Sequence, residues 1–228
     1  MDQPPAYSPQ AIADILPIYR PQDADGHIRV YKLLQTSTNA QILTSRDDTT
    51  SIYTIKTRAT GGFMNRKPHV VISGTDETQV IAEGRFDNLG TGTTLSYINP
   101  PRTHTLDLEN SQMQLLKTTI GGQDHWWQPH PGNRGVLELT NETEEIVARF
   151  IYAAPVSART GSVGSTKDAS KETHLGELSV IEALYDTSTG LEEILCSAVV
   201  VIERARRRAA NMVKCGKQGT SWAAGGVY

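Results

Sequence analysis

Two patterns of apolar and polar residues divide the chain. From His27 onward, short segments rich in Val, Ile, Thr and Tyr alternate with Gly, Asn, Asp and Pro, which predicts β-strands joined by turns. Residues 175–182 also fit a helix, and we assign them to a strand. The segments predicted as strands are 28–34, 40–44, 51–57, 69–73, 78–84, 93–98, 104–108, 113–119, 124–128, 135–140, 145–153 and 175–182.

Residues 190–213 follow a different pattern and are predicted to form one long helix. From Ile194 to Ile202 the helix carries no charged residue, so it has no polar face there and other elements must enclose it. This uncharged run covers roughly 14 Å as a helix, against about 30 Å for the hydrocarbon core of a bilayer. The sequence therefore predicts no transmembrane segment. Thr189 and Glu192 have the spacing of a capping box at the start of the helix.

The combination of about twelve short strands with one enclosed helix predicts the fold class. A closed barrel leaves no free sheet edge and provides an interior for the helix. We predict a mainly β protein, with a closed antiparallel barrel of about twelve strands around a central hydrophobic C-terminal helix, over residues 27–213. The helix residues expected in the core are Ile194, Leu195, Ala198, Val199 and Ile202.

Three segments have compositions typical of flexible chain. Residues 1–26 are rich in Pro, Tyr, Gln and Asp and are predicted to be a disordered tail. Residues 154–174 are rich in Ser, Thr and Gly and are predicted to be a flexible insertion in the barrel, and residues 214–228 a flexible tail. The first residues lack the basic and apolar stretches of a secretory signal, so we expect a cytoplasmic location.

Pro4-Pro5-Ala6-Tyr7 in the first segment matches the PPxY motif that WW domains bind. The prolines favour an extended polyproline II conformation that fits an aromatic groove, and Tyr7 supplies an anchor. Two interpretations remain open: a ligand for a WW-domain protein, or a solvated tail.

The charge is distributed unevenly. The formal net charge is −3, but the stretch from Glu203 to Lys217 carries +5 and the remainder carries −8. An acidic body with one basic segment does not fit a nucleic-acid partner. The arginines after Ile202 are expected to emerge at the mouth of the barrel.

No pattern of residues indicates catalysis or a metal site. His104, His125 and His130 lack the tight spacing of metal ligands, and the chain has no Gly-x-Ser-x-Gly motif. We therefore predict a non-enzymatic protein without a cofactor or metal. Trp126 and Trp127 are neighbours in a predicted strand and point to opposite faces: one into the core, the other exposed or covered by residues 129–133.

Trp126-Trp127, Val147-Ala148-Arg149-Phe150 and the helix from Leu191 to Arg208 together resemble fungal proteins with a tubby C-terminal-like domain. That superfamily includes tubby, the LURP-one-related proteins and the phospholipid scramblases. The resemblance covers residues 27–213 and implies a barrel of about twelve antiparallel strands around a central helix.

The resemblance also implies a binding site. Tubby binds phosphoinositide headgroups through a Lys-x-Arg pair before a Gly-containing turn. Lys56 and Arg58, followed by Gly61-Gly62, have this layout, and Arg66 and Lys67 follow. Residues two apart share a strand face, where two cations can contact one phosphate. The expected function is binding of an anionic lipid headgroup as a peripheral membrane protein. Two alternatives remain: Lys56 and Arg58 are only solvated barrel residues, or the protein is an adaptor that uses its PPxY motif.

Overall fold

The computed structural model describes residues 28–46, 50–58, 68–86, 92–110, 115–153, 173–181 and 188–214. These residues form twelve β-strands and one α-helix. The strands are β1 Ile28–Ser37, β2 Ala40–Ser45, β3 Ser51–Thr57, β4 Val70–Ser73, β5 Val80–Phe86, β6 Gly92–Tyr97, β7 Arg102–Asn110, β8 Leu115–Ile120, β9 Gln123–His130, β10 Asn133–Thr140, β11 Ile146–Tyr152 and β12 Thr173–Ile181. The helix, α1, is Ser188–Lys214.

The sheet is a closed barrel in which each strand pairs antiparallel with the next strand in sequence. β1 and β12 pair with each other and close the barrel, with Ile28 opposite Ile181 and Leu33 opposite Gly176. No strand edge is left unpaired in such a barrel. The predicted fold class, a closed antiparallel barrel of about twelve strands with one C-terminal helix, is therefore confirmed.

The helix supplies the centre of the hydrophobic core. The five residues that the sequence assigns to this core are at most 2% exposed: Ile194, Leu195, Ala198, Val199 and Ile202. Alternate residues of the strands meet them from the wall, among them Leu43, Ile55, Leu95 and Leu139, each at most 1% exposed. In the strands, alternate residues therefore face inward and pack on the part of the helix from Ile194 to Ile202, which carries no charged residue.

Gly84 in β5 marks a close approach of the helix to the wall. A Cβ atom at this position would lie 2.9 Å from Cγ2 of Val200 and 3.2 Å from Cβ of Val70. Gly176 in β12 marks a close approach to the neighbouring strand β11 instead, because a Cβ there would overlap the carbonyl oxygen of Ile151 and the ring of Phe150. Both positions require the absence of a side chain.

Several predicted boundaries differ from the structure. The helix begins at Ser188, so Thr189 lies within its first turn and is not its N-cap. Lys214, assigned to the C-terminal tail, belongs to the helix. Thr173 and His174, assigned to the flexible insertion, begin β12. Residues 1–26, 154–172 and 215–228 lie outside the described part of the chain. Within the described ranges, no helix has the length and apolar character needed to cross a membrane.

Candidate anion-binding end of the barrel

The C-terminal half of α1 reaches the end of the barrel where β3 and β5 finish and β4 begins. There the guanidinium of Arg207 donates hydrogen bonds to the carbonyl oxygens of Arg58 and His69, which flank β3 and β4. The helix is thus joined to two wall strands at one point. We call this region the basic end and define it by Arg58, His69, Arg85, Phe86, Glu203 and the arginines at positions 206–208.

Arg207 is held on several sides. Its Nε donates to Oε1 of Glu203 at 2.8 Å, and its guanidinium carbon lies 4.9 Å from the centre of the Phe86 ring. Since its nitrogens also bond the two wall carbonyls, Arg207 serves mainly to fix the helix against β3 and β4.

Glu203 organises the helix side of the basic end. It is only 7% exposed and forms ion pairs with Arg206 at 3.3 Å and Arg207 at 2.8 Å. Gln41, from the wall, donates to its second oxygen at 3.4 Å. A buried carboxylate needs such partners, because burial of an unpaired charge is costly. Glu203 was not among the predicted site residues, although it stands three and four residues before the two arginines, the spacing of helical ion pairs.

The prediction for Arg204 was wrong, because this arginine is buried inside the barrel. The arginines after Ile202 were expected to emerge at the barrel mouth, but Arg204 is 6% exposed and donates to the hydroxyl of Thr93 at 3.0 Å. It faces the barrel wall because the helix turns by about 100° per residue, which places one arginine of the run inward. Arg206, Arg207 and Arg208 are partly exposed.

Lys56 and Arg58 are both exposed on one face at the end of β3, as their spacing predicts. Their surroundings differ. The ammonium of Lys56 pairs with the carboxylate of Glu77 at 2.7 Å. In the part of the chain that the structure describes, Arg58 and Arg208 form no ion pair. Arg66 and Lys67 lie outside the described residues.

His69 lies between the arginines of the basic end and is 9% exposed. Its Nδ1 accepts a hydrogen bond from the backbone N–H of Phe86 at 3.0 Å, so the neutral ring carries its proton on Nε2. The ring also stacks on Phe86, with 5.5 Å between ring centres. Burial, and then the positive charges of Arg207 and Arg85, lower the pKa of His69 below its ordinary value.

The opposite end of the barrel is acidic. Glu193, 4% exposed, accepts from Nε of Arg102 at 3.0 Å and from the backbone N–H of Gly121 at 2.8 Å. Arg102 stacks over the ring of Tyr97 at 4.2 Å and also pairs with Glu192 at 3.2 Å. Exposed acidic residues in the described turns at this end include Asp76, Glu142, Glu144 and Glu145, whereas the carboxylate of Glu77 reaches back to Lys56. Among the described residues, exposed carboxylates are therefore more numerous in the turns of this end than at the basic end.

The two adjacent tryptophans point to opposite faces of β9, as predicted, and the outer one is partly buried by a residue of β8. Trp127 is 1% exposed and its indole N–H donates to the hydroxyl of Ser197 on the helix at 3.1 Å. Trp126 is half-buried on the outer face, where the ammonium of Lys117 lies 5.8 Å from its ring centre. Lys117 lies opposite Trp126 in the pairing of β8 with β9. Strand β8 therefore contributes to the partial burial of the Trp126 ring, whereas the only cover expected from the sequence was that of residues 129–133.

The remaining candidate groups for chemistry have structural partners. His104 and His125 each bond a backbone carbonyl through Nδ1, at 2.8 Å and 3.0 Å, and His130 accepts from the N–H of Gly132 at 3.0 Å. Burial raises the pKa of the Cys196 thiol, which therefore stays protonated inside the barrel. In the ranges that the structure describes, no group of three or more His, Cys, Asp or Glu side chains is arranged to hold a metal ion.

The PPxY residues Pro4, Pro5 and Tyr7 lie outside the described residues. Comparisons with protein-family models, with curated proteins and with solved structures give no match.

Proposed function

We propose that this chain is a non-enzymatic, tubby-like barrel that binds an anionic lipid headgroup with its basic end, at the cytoplasmic surface of a membrane. The observation that supports this is the position of Arg58. The hydrogen bonds of Arg207 bring the end of β3 to the C-terminal part of the helix, so that Arg58, which forms no ion pair among the described residues, directly neighbours Arg207.

Guanidinium groups suit this ligand. They present paired N–H donors that match the oxygens of a phosphate, and charge-assisted hydrogen bonds of this kind are about twice as strong as neutral ones. Binding relies on side chains here, since the C-terminal end of a helix carries a partial negative charge that does not attract anions. Lys56 contributes less than Arg58, because Glu77 already neutralises it.

The distribution of exposed carboxylates supports an end-on orientation. An anionic membrane attracts the basic end and repels the exposed carboxylates of the opposite turns, such as Glu142 and Glu145. The helix axis would then be roughly perpendicular to the membrane surface, with the basic end nearest the lipids.

Flotation with vesicles tests this proposal. The protein should float with vesicles that contain a phosphoinositide and should not float with neutral phosphatidylcholine vesicles. Arg58→Ala should weaken binding about fivefold, since a cation near an anionic surface contributes about 1 kcal/mol. Lys56→Ala should have a smaller effect.

Lys117→Ala is the matched control. It also removes one cation from the barrel surface, a partly exposed one, but Lys117 lies on β8, five strands from β3 around the barrel, and pairs with Asp124 at 2.6 Å. The proposal fails if the unmodified protein does not float with phosphoinositide vesicles. It also fails if Arg58→Ala binds as well as Lys117→Ala does.

A second candidate function rests on Pro4-Pro5-Ala6-Tyr7. In this account the chain is an adaptor that recruits a WW-domain protein through its N-terminal segment. A peptide of residues 1–12 should bind a WW domain of the PPxY-specific class, and Tyr7→Ala should abolish binding because the ring is the anchor of the motif. Failure of the unmodified peptide to bind would end this hypothesis.

A further inference from the structure

We propose that anion binding at the basic end is coupled to protonation of His69, so that the protein takes up a proton when the anion binds. This inference rests on the proposed function and deepens it by naming how the same site is regulated. It derives from the position of one histidine among fixed positive charges.

Arg207 of the helix and Arg85 of β5 bring positive charge close to the His69 ring, and Arg58 is joined to His69 through the backbone. The N–H of Arg58 on the β3 side bonds the carbonyl of His69 at 2.9 Å, and the N–H of His69 bonds the carbonyl of Gly84 at 2.8 Å, directly before Arg85 of β5. Arg207 of the helix bonds the His69 carbonyl as well. Two carboxylates of the described residues around it are paired: Glu203 with Arg207, and Glu83 with Arg85 at 3.5 Å.

Protonation of His69 is disfavoured for a second reason. The neutral ring carries its hydrogen on Nε2, so the added proton must go to Nδ1. That atom already accepts the backbone N–H of Phe86 at 3.0 Å. A protonated ring would place two donors against each other and lose this hydrogen bond. The lowered pKa of His69 agrees with both effects.

A bound anion reverses the electrostatic part of this balance. A negative group held by the neighbouring guanidinium groups offsets their repulsion of the imidazolium, which raises the pKa of His69 in the complex. By linkage, an anion that raises this pKa binds more tightly as the pH falls. The gain begins as the pH falls through the pKa of the complex and stops below the pKa of the free protein.

Vesicles of phosphatidylglycerol in phosphatidylcholine provide the test. The phosphodiester of this lipid keeps one charge throughout the range from about pH 5.5 to about pH 7.5, so a change in affinity with pH belongs to the protein. Uptake of one proton allows at most about a tenfold change in affinity per pH unit. We expect the unmodified protein to bind about three- to tenfold more tightly at the lower pH.

His69→Asn is the matched variant, because its side-chain oxygen can accept the Phe86 N–H but cannot be protonated. Its affinity should be independent of pH in this range. His130→Asn is the control: His130 also accepts a backbone N–H through Nδ1, from Gly132 at 3.0 Å, and its replacement should leave the pH dependence unchanged. Equal pH dependence of His69→Asn and the unmodified protein would overturn the proposal.

An NMR titration of the His69 ring in the unmodified protein keeps the test independent of any variant. The pKa of His69 should rise when inorganic sulfate or the phosphatidylglycerol vesicles are added. A rise with both ligands identifies the anion itself as sufficient, and a rise with vesicles alone identifies the headgroup at a surface. An unchanged pKa in the presence of bound vesicles refutes the coupling and leaves the proposed function standing, whereas absence of binding at every pH, to these vesicles and to phosphoinositide vesicles alike, refutes both.

Discussion

Gly84→Ala tests how the helix is seated in the barrel. The new methyl group would lie 2.9 Å from Cγ2 of Val200 and 3.2 Å from Cβ of Val70, and both distances are shorter than ordinary van der Waals contact. Overpacking of a core costs about 1–3 kcal/mol. Replacement of glycine by alanine also restricts the unfolded chain, which returns about 0.4–1 kcal/mol. We therefore expect a net loss of about 1–2 kcal/mol in the free energy of unfolding.

Urea unfolding, followed by tryptophan fluorescence, measures this loss. The matched control is Gly74→Ala, where the nearest side-chain atom would lie 3.9 Å away, and it should change stability by less than about 0.5 kcal/mol. Val200→Ala alone should cost about 2 kcal/mol, since it leaves a cavity. It also removes the atom that clashes, so the double variant should be more stable than the sum of the single effects predicts, by about 1 kcal/mol. Additive effects would refute the contact between β5 and the helix.

Three further predictions follow from the core and the basic end. Val199→Asp should prevent folding, because a charge at this position has neither water nor a partner. Val199→Ala should fold and should only lower the free energy of unfolding by about 2 kcal/mol. Circular dichroism distinguishes an unfolded variant from a folded one. Trp127→Phe loses the hydrogen bond to Ser197 and part of the ring, and should cost about 1–3 kcal/mol in urea unfolding; an unchanged midpoint would contradict that contact. Because the pKa of His69 is lowered in the folded protein, the unfolded state binds more protons as the pH falls below about 6.5, so stability is full above that pH and declines below it. His69→Asn should decline less steeply in unfolding experiments over this range.

The fold was largely predictable from the sequence because most of its segments fit one periodicity only, residues 175–182 being the exception. The alternation in segments such as Ile28–Leu34 has the period of a strand, and the uncharged run Ile194–Ile202 cannot form a surface helix. Closure follows, since twelve strands with an enclosed helix need a wall without free edges. The prediction that residues 175–182 form a strand is confirmed, since β12 covers all of them except residue 182.

The contacts of the site were less predictable, because they join residues far apart in the chain. Arg58 and Arg207 are 149 positions apart, and only the closed barrel brings them together. The pairing of Lys56 with Glu77 across 21 positions also depends on the conformation of the turn after β4. The position of Thr189 within the helix shows a different limit: the capping-box pattern was present, but the helix starts before it.

The most direct test of the account is a map of where an anionic headgroup binds. Soluble inositol trisphosphate, added to the labelled protein, should shift the backbone amide NMR signals of the basic end most strongly, at Arg58, His69, Phe86 and residues 206–208. The signals of Arg102, Gly121 and Glu193 at the acidic end should remain in place. Shifts concentrated at the acidic end, or saturating inositol trisphosphate without any shift at the basic end, would contradict the account.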